Sequence, residues 1–328
     1  MKFVIAGLGS IGRRHMRNLI AYGEKDLILY RTRKSTMPEE DLAGYPVETD
    51  LMAALASRPE GVVVSNPTAL HLDVAIPAAL QGAALLLEKP ISHNMDRVAE
   101  LAGAVNKSGA KVLVGFQYRF HPNLCEAKRL IDEGAIGRPI SFKVNWGEYL
   151  PGWHPWEDHR QSYAARQDLG GGVVLTLCHP LDYLRWLFGE VEALWAFTAT
   201  VPELGTEVDA VAEIGLRLSG GVTGAVHLDY IQRPGSHTLE VSGTKGMLRW
   251  DNGTSLLKLY RAEENTWQDL PAPDGFERNW LFMAETEAFL KLIRGVEASP
   301  CTLDDGIRAL ELTLAVHTSA HEGILQKW

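Results

Sequence analysis

Lys2-Phe3-Val4-Ile5-Ala6-Gly7-Leu8-Gly9-Ser10-Ile11-Gly12 decides how the first third of the chain folds. A short apolar run with β-branched residues halts at a glycine, and G-x-G-x-x-G then leads into a stretch of helical periodicity. In that setting each glycine has a task. Gly7 turns the chain, Gly9 lets the backbone approach a pyrophosphate, and Gly12 lets the helix pack on the strand. The helix start at Ser10 and Ile11 adds N–H donors for an anion. A glycine turn that binds nothing is the alternative, and the strand–turn–helix placement weighs against it.

Working outward, residues 1 to 120 alternate short apolar runs with helical patterns of 10 to 15 residues, the signature of a parallel sheet wound by crossover helices. The predicted strands are Phe3 to Ala6, Leu27 to Tyr30, one near Val47, Gly61 to Ser65, Ala83 to Leu87 and Lys111 to Gly115. Asp50 and Thr68 stand at N-cap positions, and Gly23 and Gly82 at helix stops.

After 120 the pattern changes. A helix near Asn123 to Glu133 and a strand near Ile140 to Trp146 precede a Trp-rich loop, and a helix then runs from about Val173 to Gly189. Six strand-like runs follow: Ala193 to Val201, Val208 to Leu218, Val222 to Tyr230, Thr238 to Ser242, Met247 to Trp250 and Leu256 to Tyr260. Most are joined by short glycine or asparagine turns and so read as antiparallel neighbours. Helices around Asn279 to Arg294 and from Leu303 follow, the second opened by a capping-box pair, Thr302 and Asp305. The expected architecture is α/β: a doubly wound parallel Rossmann domain over 1–120, then an α+β domain over 121–328 on an open, mostly antiparallel sheet. Apolar residues at both parities of the Val222 to Asp229 run suggest that this sheet also pairs two copies of the chain.

The 328 residues are 46% hydrophobic and 22% charged, a soluble globular profile with material for two domains sharing a cleft. No apolar run approaches a membrane span, and the opening apolar segment is too short for a signal-peptide core. Cys125, Cys178 and Cys301 are widely spaced and give neither a disulfide framework nor a clustered zinc site. A cytoplasmic location is therefore expected. The net charge of −9 argues against nucleic acid as a partner. Residues 1–36 nevertheless hold eight Lys or Arg against two acids, which points to a small anionic ligand at this end.

Ribose specificity is normally read after the second strand, where an acid would take the 2′-hydroxyl. The chain has Tyr30-Arg31-Thr32-Arg33-Lys34 there, so Arg31 and Arg33 favour a 2′-phosphate and hence NADP, with NAD the alternative. A solvated basic turn is the other reading of these arginines.

Ligands of a doubly wound sheet lie beyond the carboxyl ends of its strands. Those ends carry Ser65-Asn66-Pro67-Thr68 with His71, Glu88-Lys89-Pro90, and Gly115-Phe116-Gln117-Tyr118-Arg119. A lysine held near a carboxylate and cofactor phosphate can donate to a reacting hydroxyl; an ion pair at a strand end is the alternative for Glu88 and Lys89.

These residues resemble the Gfo/Idh/MocA oxidoreductases: the glycine motif, Asn66-Pro67-Thr68 with His71, Glu88-Lys89-Pro90, Arg119 after Phe116, Gly137-Arg138-Pro139, the Gly170 to Asp182 segment, and Asp304-Asp305-Gly306-Ile307-Arg308-Ala309-Leu310. The resemblance implies NAD(P)-dependent hydride transfer on a sugar, nucleotide sugar or cyclitol, and a homodimer or homotetramer built through the C-terminal sheet. It places Lys89 and His179 as catalytic residues. With the glycine motif, it makes Ser65, Asn66, Pro67, His71, Glu88, Lys89 and Gln117 the cofactor set, and Arg119 and Thr176 join Lys89 and His179 around the substrate.

The chain departs from the family before His179. An aspartate is expected four residues earlier, and Leu175 and Thr176 stand there instead. Asp182 shares the helix face but is not assigned that role. Pro180 disfavours a continuous helix, which must kink or restart at His179; a satisfied core histidine is the alternative. In the preceding loop, Trp153, Arg160 and Arg166 are candidates for holding a sugar or its phosphate, against a packed flap or an oligomer contact. His154, Asp158 and His159 match no metal-site spacing, and His317 with His321 reads as a helix surface. No metal is expected. A glycosidase using transient oxidation by retained NAD, and a non-catalytic nucleotide-bound sensor, stay open beside the dehydrogenase.

Overall fold

The computed structural model describes residues 1–32, 42 and 44–328, which places Arg33 outside the described residues. The chain forms two compact units, residues 1–117, 168–170 and 278–310 in the first, and 118–167, 171–277 and 311–328 in the second. A single break near 120 therefore misses the return of 278–310 to the first unit.

The first unit holds six parallel strands, β1 (Lys2–Ala6), β2 (Asp26–Tyr30), β3 (Val47–Glu48), β4 (Gly61–Val64), β5 (Ala84–Leu87) and β6 (Val112–Val114). Their order is β3-β2-β1-β4-β5-β6, with α1 (Ser10–Ala21), α2 (Leu51–Ala56), α3 (His71–Leu80) and α4 (Val98–Ser108) as connections. Phe3 to Ala6, Val62 to Val64 and Leu85 to Leu87 are buried throughout. Such unbroken apolar strands belong to a parallel sheet covered on both faces. The Asp50 side chain caps α2 by accepting from the Ala53 N–H at 3.0 Å. Thr68 lies inside a 3₁₀ turn over 68–70 rather than at a cap, and α3 begins only at His71.

The second unit contains α5 (Pro122–Asp132), β7 (Pro139–Gly147), α6 (Val173–Thr176), α7 (His179–Phe188), β8 (Val191–Ala199), β9 (Val211–Leu218) and β10 (Thr223–Asp229). It continues through β11 (Ser236–Gly243), β12 (Gly246–Asp251), β13 (Leu256–Arg261), β14 (Thr266–Pro271) and, near the C-terminus, β15 (Gln326–Lys327). The sheet order is β14-β13-β12-β11-β7-β10-β9-β8-β15, antiparallel except between β7 and β10. On β9 and β10 one face is buried, through Ala212, Ile214, Leu216, Leu218, Val226 and Leu228. β14 and β15 escape sequence reading because β14 is almost wholly exposed and β15 is two residues long.

Helices α8 (Asn279–Arg294) and α9 (Leu303–Glu322) complete the chain. In the first unit Phe289 of α8 meets Phe3 of β1, the Lys111 ammonium donates to the Leu292 carbonyl at 2.8 Å, and Val114 N–H donates to the Cys301 carbonyl at 3.0 Å. These contacts draw 278–310 onto the parallel sheet. Thr302 and Asp305 cap α9 reciprocally, at 2.9 and 3.2 Å.

Candidate active site

In the first unit the glycine turn is built as its sequence requires. Gly7 has φ +90°, and a Cβ there would lie 2.4 Å from the Asn66 nitrogen. One on Gly12 would lie 1.9 Å from the Gly7 carbonyl oxygen, so α1 packs against β1 only through hydrogen. A Cβ on Gly9 would meet no protein atom within 4 Å. The bare backbone at Gly9, beside the N-terminus of α1, fits close approach by a pyrophosphate.

Several expected cofactor residues also brace this frame. The Ser65 hydroxyl lies 3.1 and 3.0 Å from the carbonyls of Ala6 and Gly7, tying β4 to the turn after β1. Both ring nitrogens of His71 face carbonyl oxygens at 2.9 Å, Nδ1 that of Pro90 and Nε2 that of Asn66. His71 is thus a staple between the turns after β4 and β5. Burial holds its ring below the ordinary histidine range. Asn66 donates to the Leu70 carbonyl at 2.8 Å, while its own side-chain oxygen and that of Gln117 are buried without hydrogen-bond partners. Those two acceptors, at the turns after β4 and β6, suit a ligand N–H or hydroxyl. Arg31 is buried at the end of β2, its N–H on the Glu48 carbonyl at 3.0 Å.

After β5, Glu88 is buried and Lys89 half-buried. Glu88 Oε1 lies 2.8 Å from His15 Nε2, and Oε2 accepts from the Lys89 backbone N–H at 3.2 Å. Burial alone would raise this carboxyl, but the His15 hydrogen bond and the nearby His15, Lys89 and His71 outweigh it, and the carboxyl sits below its ordinary value. Gly115 makes the space, since a Cβ there would stand 3.1 Å from Glu88 Oε2.

In the second unit His179 opens α7 after a break at Leu177 and Cys178, as Pro180 requires. Its ring is 2% exposed and packs edge-on to Tyr118 at 5.0 Å and tilted to Trp146 at 5.6 Å. His237 stacks on Trp146 at 4.1 Å, and its Nε2 is 3.2 Å from the Tyr183 hydroxyl. Burial pushes the Tyr183 hydroxyl well up and His237 well down, so this supporting pair is neutral.

Asp182 does not stand in for the absent family acid. Both of its oxygens accept from Arg119, Nε to Oδ2 at 2.9 Å and Nη2 to Oδ1 at 2.7 Å. The same pair occupies the fork of Arg119 expected to meet substrate. Thr176, also expected there, is buried near the Tyr230 hydroxyl, which itself donates to the Gly172 carbonyl at 2.9 Å. An acid does reach the segment, but from position 209. Asp209 Oδ2 accepts from the Val174 N–H at 2.9 Å, and its Oδ1 lies 3.3 Å from His317 Nε2. His317 is therefore more than helix surface. In the loop, Trp153 is half-buried edge-on to Tyr230 at 5.6 Å with its indole N–H unpartnered, and Arg166 is half-buried. Arg160 is exposed and forked onto Asp158, which it holds down to about 2.

Reading the sequence did not single out His15, Tyr118, Trp146, Asp209, His237 or Glu285. Two left a signal: His15 and Glu285 are polar residues on apolar helix faces, Glu285 between Phe282 and Phe289 at helical spacing.

A parallel sheet in the order 3-2-1-4-5-6 with a glycine turn at α1, joined to a second unit on an open antiparallel sheet, defines a two-domain dinucleotide-binding protein. Residues 1–116 match the oxidoreductase-family NAD-binding Rossmann fold, and residues 125–249 match the GFO/IDH/MocA C-terminal domain. The chain belongs to the Gfo/Idh/MocA oxidoreductase family. It is 26% identical to inositol 2-dehydrogenase of Rhizobium meliloti (strain 1021) over 98% of this chain and 97% of that protein. It is 30% identical to levoglucosan dehydrogenase of Pseudarthrobacter phenanthrenivorans, a match spanning 57% of this chain and only 54% of that protein. Among solved structures, a levoglucosan dehydrogenase in complex with NADH and levoglucosan superposes with a TM-score of 0.89 at 20% identity, covering 100% of this chain and 99% of the other.

Proposed function

We propose that this protein is an NAD(P)-dependent dehydrogenase or reductase acting on a secondary alcohol or ketone of a sugar, nucleotide sugar or cyclitol. The observation that carries the reading is the Glu88-Lys89-Pro90 turn: a lysine at the carboxyl end of β5, its backbone pinned to a buried carboxylate, in a sheet built for a dinucleotide. The names of the inositol and levoglucosan relatives support the substrate class.

Bound NAD(P) supplies the hydride acceptor or donor. Lys89 hydrogen-bonds the reacting oxygen and polarises it, and His179 takes or returns the hydroxyl proton. The aromatic walls of Tyr118 and Trp146 keep the imidazole ring in one orientation. Trp153, with an apolar face and an unpartnered N–H, stacks on the sugar, and Arg166 serves a substrate phosphate. Arg119 holds α7 through Asp182 rather than reading substrate. Arg31 and the absence of an acid after β2 favour NADP. An assay of sugars, cyclitols and nucleotide sugars with each cofactor should give net change at the nicotinamide absorbance, with NADP preferred and Arg31→Ala bringing the two cofactors together. No substrate in any of the three classes giving net reduction or oxidation would refute the activity, and a clear NAD preference the cofactor choice.

We also assign a homodimer or homotetramer formed through the sheet of the second unit. Trp195 and Phe197 on β8 pack edge-to-face at 5.3 Å and are 46% and 68% exposed, more apolar surface than a lone sheet face needs to show. Light scattering should give an integral multiple of the chain mass, reduced by Phe197→Glu; a monomer at all concentrations would overturn the assignment. No helix among the described residues is long and apolar enough to cross a membrane. With Cys125, Cys178 and Cys301 all free, we place the protein in the cytoplasm.

A further inference from the structure

We propose that Glu285 is a positioning residue for the Glu88-Lys89 turn, a neutral carboxylic acid that donates a hydrogen bond to the Glu88 carboxylate, directly or through one water. The inference rests on the role given to Lys89 above.

Glu285 lies mid-way along α8 with no exposed surface, and neither of its oxygens has a hydrogen-bond partner. One of its oxygens, one from Glu88 and one ring nitrogen of His15 all lie within 4.8 Å of one another. That spacing suits one bridging water or a small side-chain rotation. Phe282 of α8 packs edge-on to His15 at 5.9 Å, and Arg14 of α1 lies over the Phe282 ring at 4.6 Å, from where its charge also reaches Glu88.

Two carboxyl groups this close in a buried site do not both ionise, because each charge is desolvated and repels the other. Their surroundings decide which keeps the proton. Glu88 has the His15 ring on one oxygen and the Lys89 N–H on the other, both favouring its charged form. Glu285 has no such donors, and burial followed by the charge of Glu88 pushes its carboxyl well above the ordinary range. An O–H from Glu285 then gives Glu88 a third donor, from a third element. With α1, β5 and α8 all gripping one carboxylate, the peptide that carries Lys89 is fixed from behind. Glu285 itself touches no reacting atom.

The test compares wild type, Glu285→Gln and Glu285→Leu in infrared difference spectroscopy and steady-state kinetics. Wild type should show the carbonyl stretch of a neutral carboxylic acid, absent from Glu285→Gln. Glu285→Leu should lose up to ~100-fold in kcat through a displaced Lys89, with KM for the cofactor held, and Glu285→Gln should recover most of that loss because its amide still donates. Should Glu285→Leu fail to fold, the acid band together with a rate for Glu285→Gln near that of wild type still decides the matter. No acid band in the wild type, or a Gln variant as impaired as Leu, overturns the proposal. So does a stoichiometric divalent metal in the purified protein that Glu285→Gln loses, since a metal needs both carboxylates charged. If the Lys89 assignment is what fails, Lys89→Met keeps turnover while the acid band persists.

Discussion

Lys89→Met lowers kcat by ~10³-fold, within the range that loss of a positioned proton-transfer or polarising group costs, and leaves cofactor affinity near its wild-type value. The substitution keeps the length and apolar stem of the side chain and removes only the ammonium. The glycine turn and the first residues of α1, the expected seat of the dinucleotide phosphates, follow β1, on the other side of β4 from β5. The backbone N–H that Lys89 gives to Glu88 survives, so the turn after β5 keeps its shape. Lys89→Arg does not restore the rate, because a planar, more weakly hydrated fork places its charge differently from an ammonium. Stopped-flow and equilibrium cofactor binding separate the two effects. Turnover unchanged in Lys89→Met removes the lysine from the chemistry; a parallel collapse of cofactor binding moves it from the substrate to the dinucleotide.

The same turn shows what a sequence states and what it withholds. Strand β1, the glycine turn and α1 were legible because three local rules agree there: an apolar strand, glycines where a Cβ would collide, and a helix start. Lys89 and His179 were legible as residue types out of place, a charge after Leu85-Leu86-Leu87 and a histidine beside a helix-breaking proline. Their partners were not. Asp209 comes to the start of α6 from 35 positions downstream, and Arg119 to Asp182 across 63. No local pattern encodes such pairings, which depend on how β9 and α7 pack. His71 and Ser65 were correctly read as polar residues at strand ends, yet the structure turns them onto carbonyls, where they hold loops together. A polar residue at such an end is equally suited to bracing the backbone and to meeting a ligand, and only geometry separates the two. Helix α8 was legible as a helix around Asn279 to Arg294, but its sequence does not specify which of two sheets it covers.

Asp182→Ala destabilises the second unit by about 3–5 kcal/mol, the cost of breaking a buried ion pair from one side. Arg119 and Asp182 are 9% and 1% exposed, and both fork bonds are short. Removing the carboxylate withdraws two charge-assisted hydrogen bonds and leaves the guanidinium desolvated without the anion it was built against. The observable is a fall of ~10 °C in the melting temperature, read by a probe of the second unit such as near-ultraviolet circular dichroism of Trp146 and Trp250. The double variant Arg119→Met, Asp182→Leu should regain much of the loss, because an apolar pair of similar volume escapes the desolvation penalty that the ions carry. The cycle also decides what Arg119 is for. If the arginine serves only to hold α7, the double variant recovers substrate affinity along with stability, since His179 returns to its place between Tyr118 and Trp146. If it reads substrate directly, stability returns and KM does not, because no apolar side chain replaces a guanidinium facing a sugar hydroxyl or phosphate.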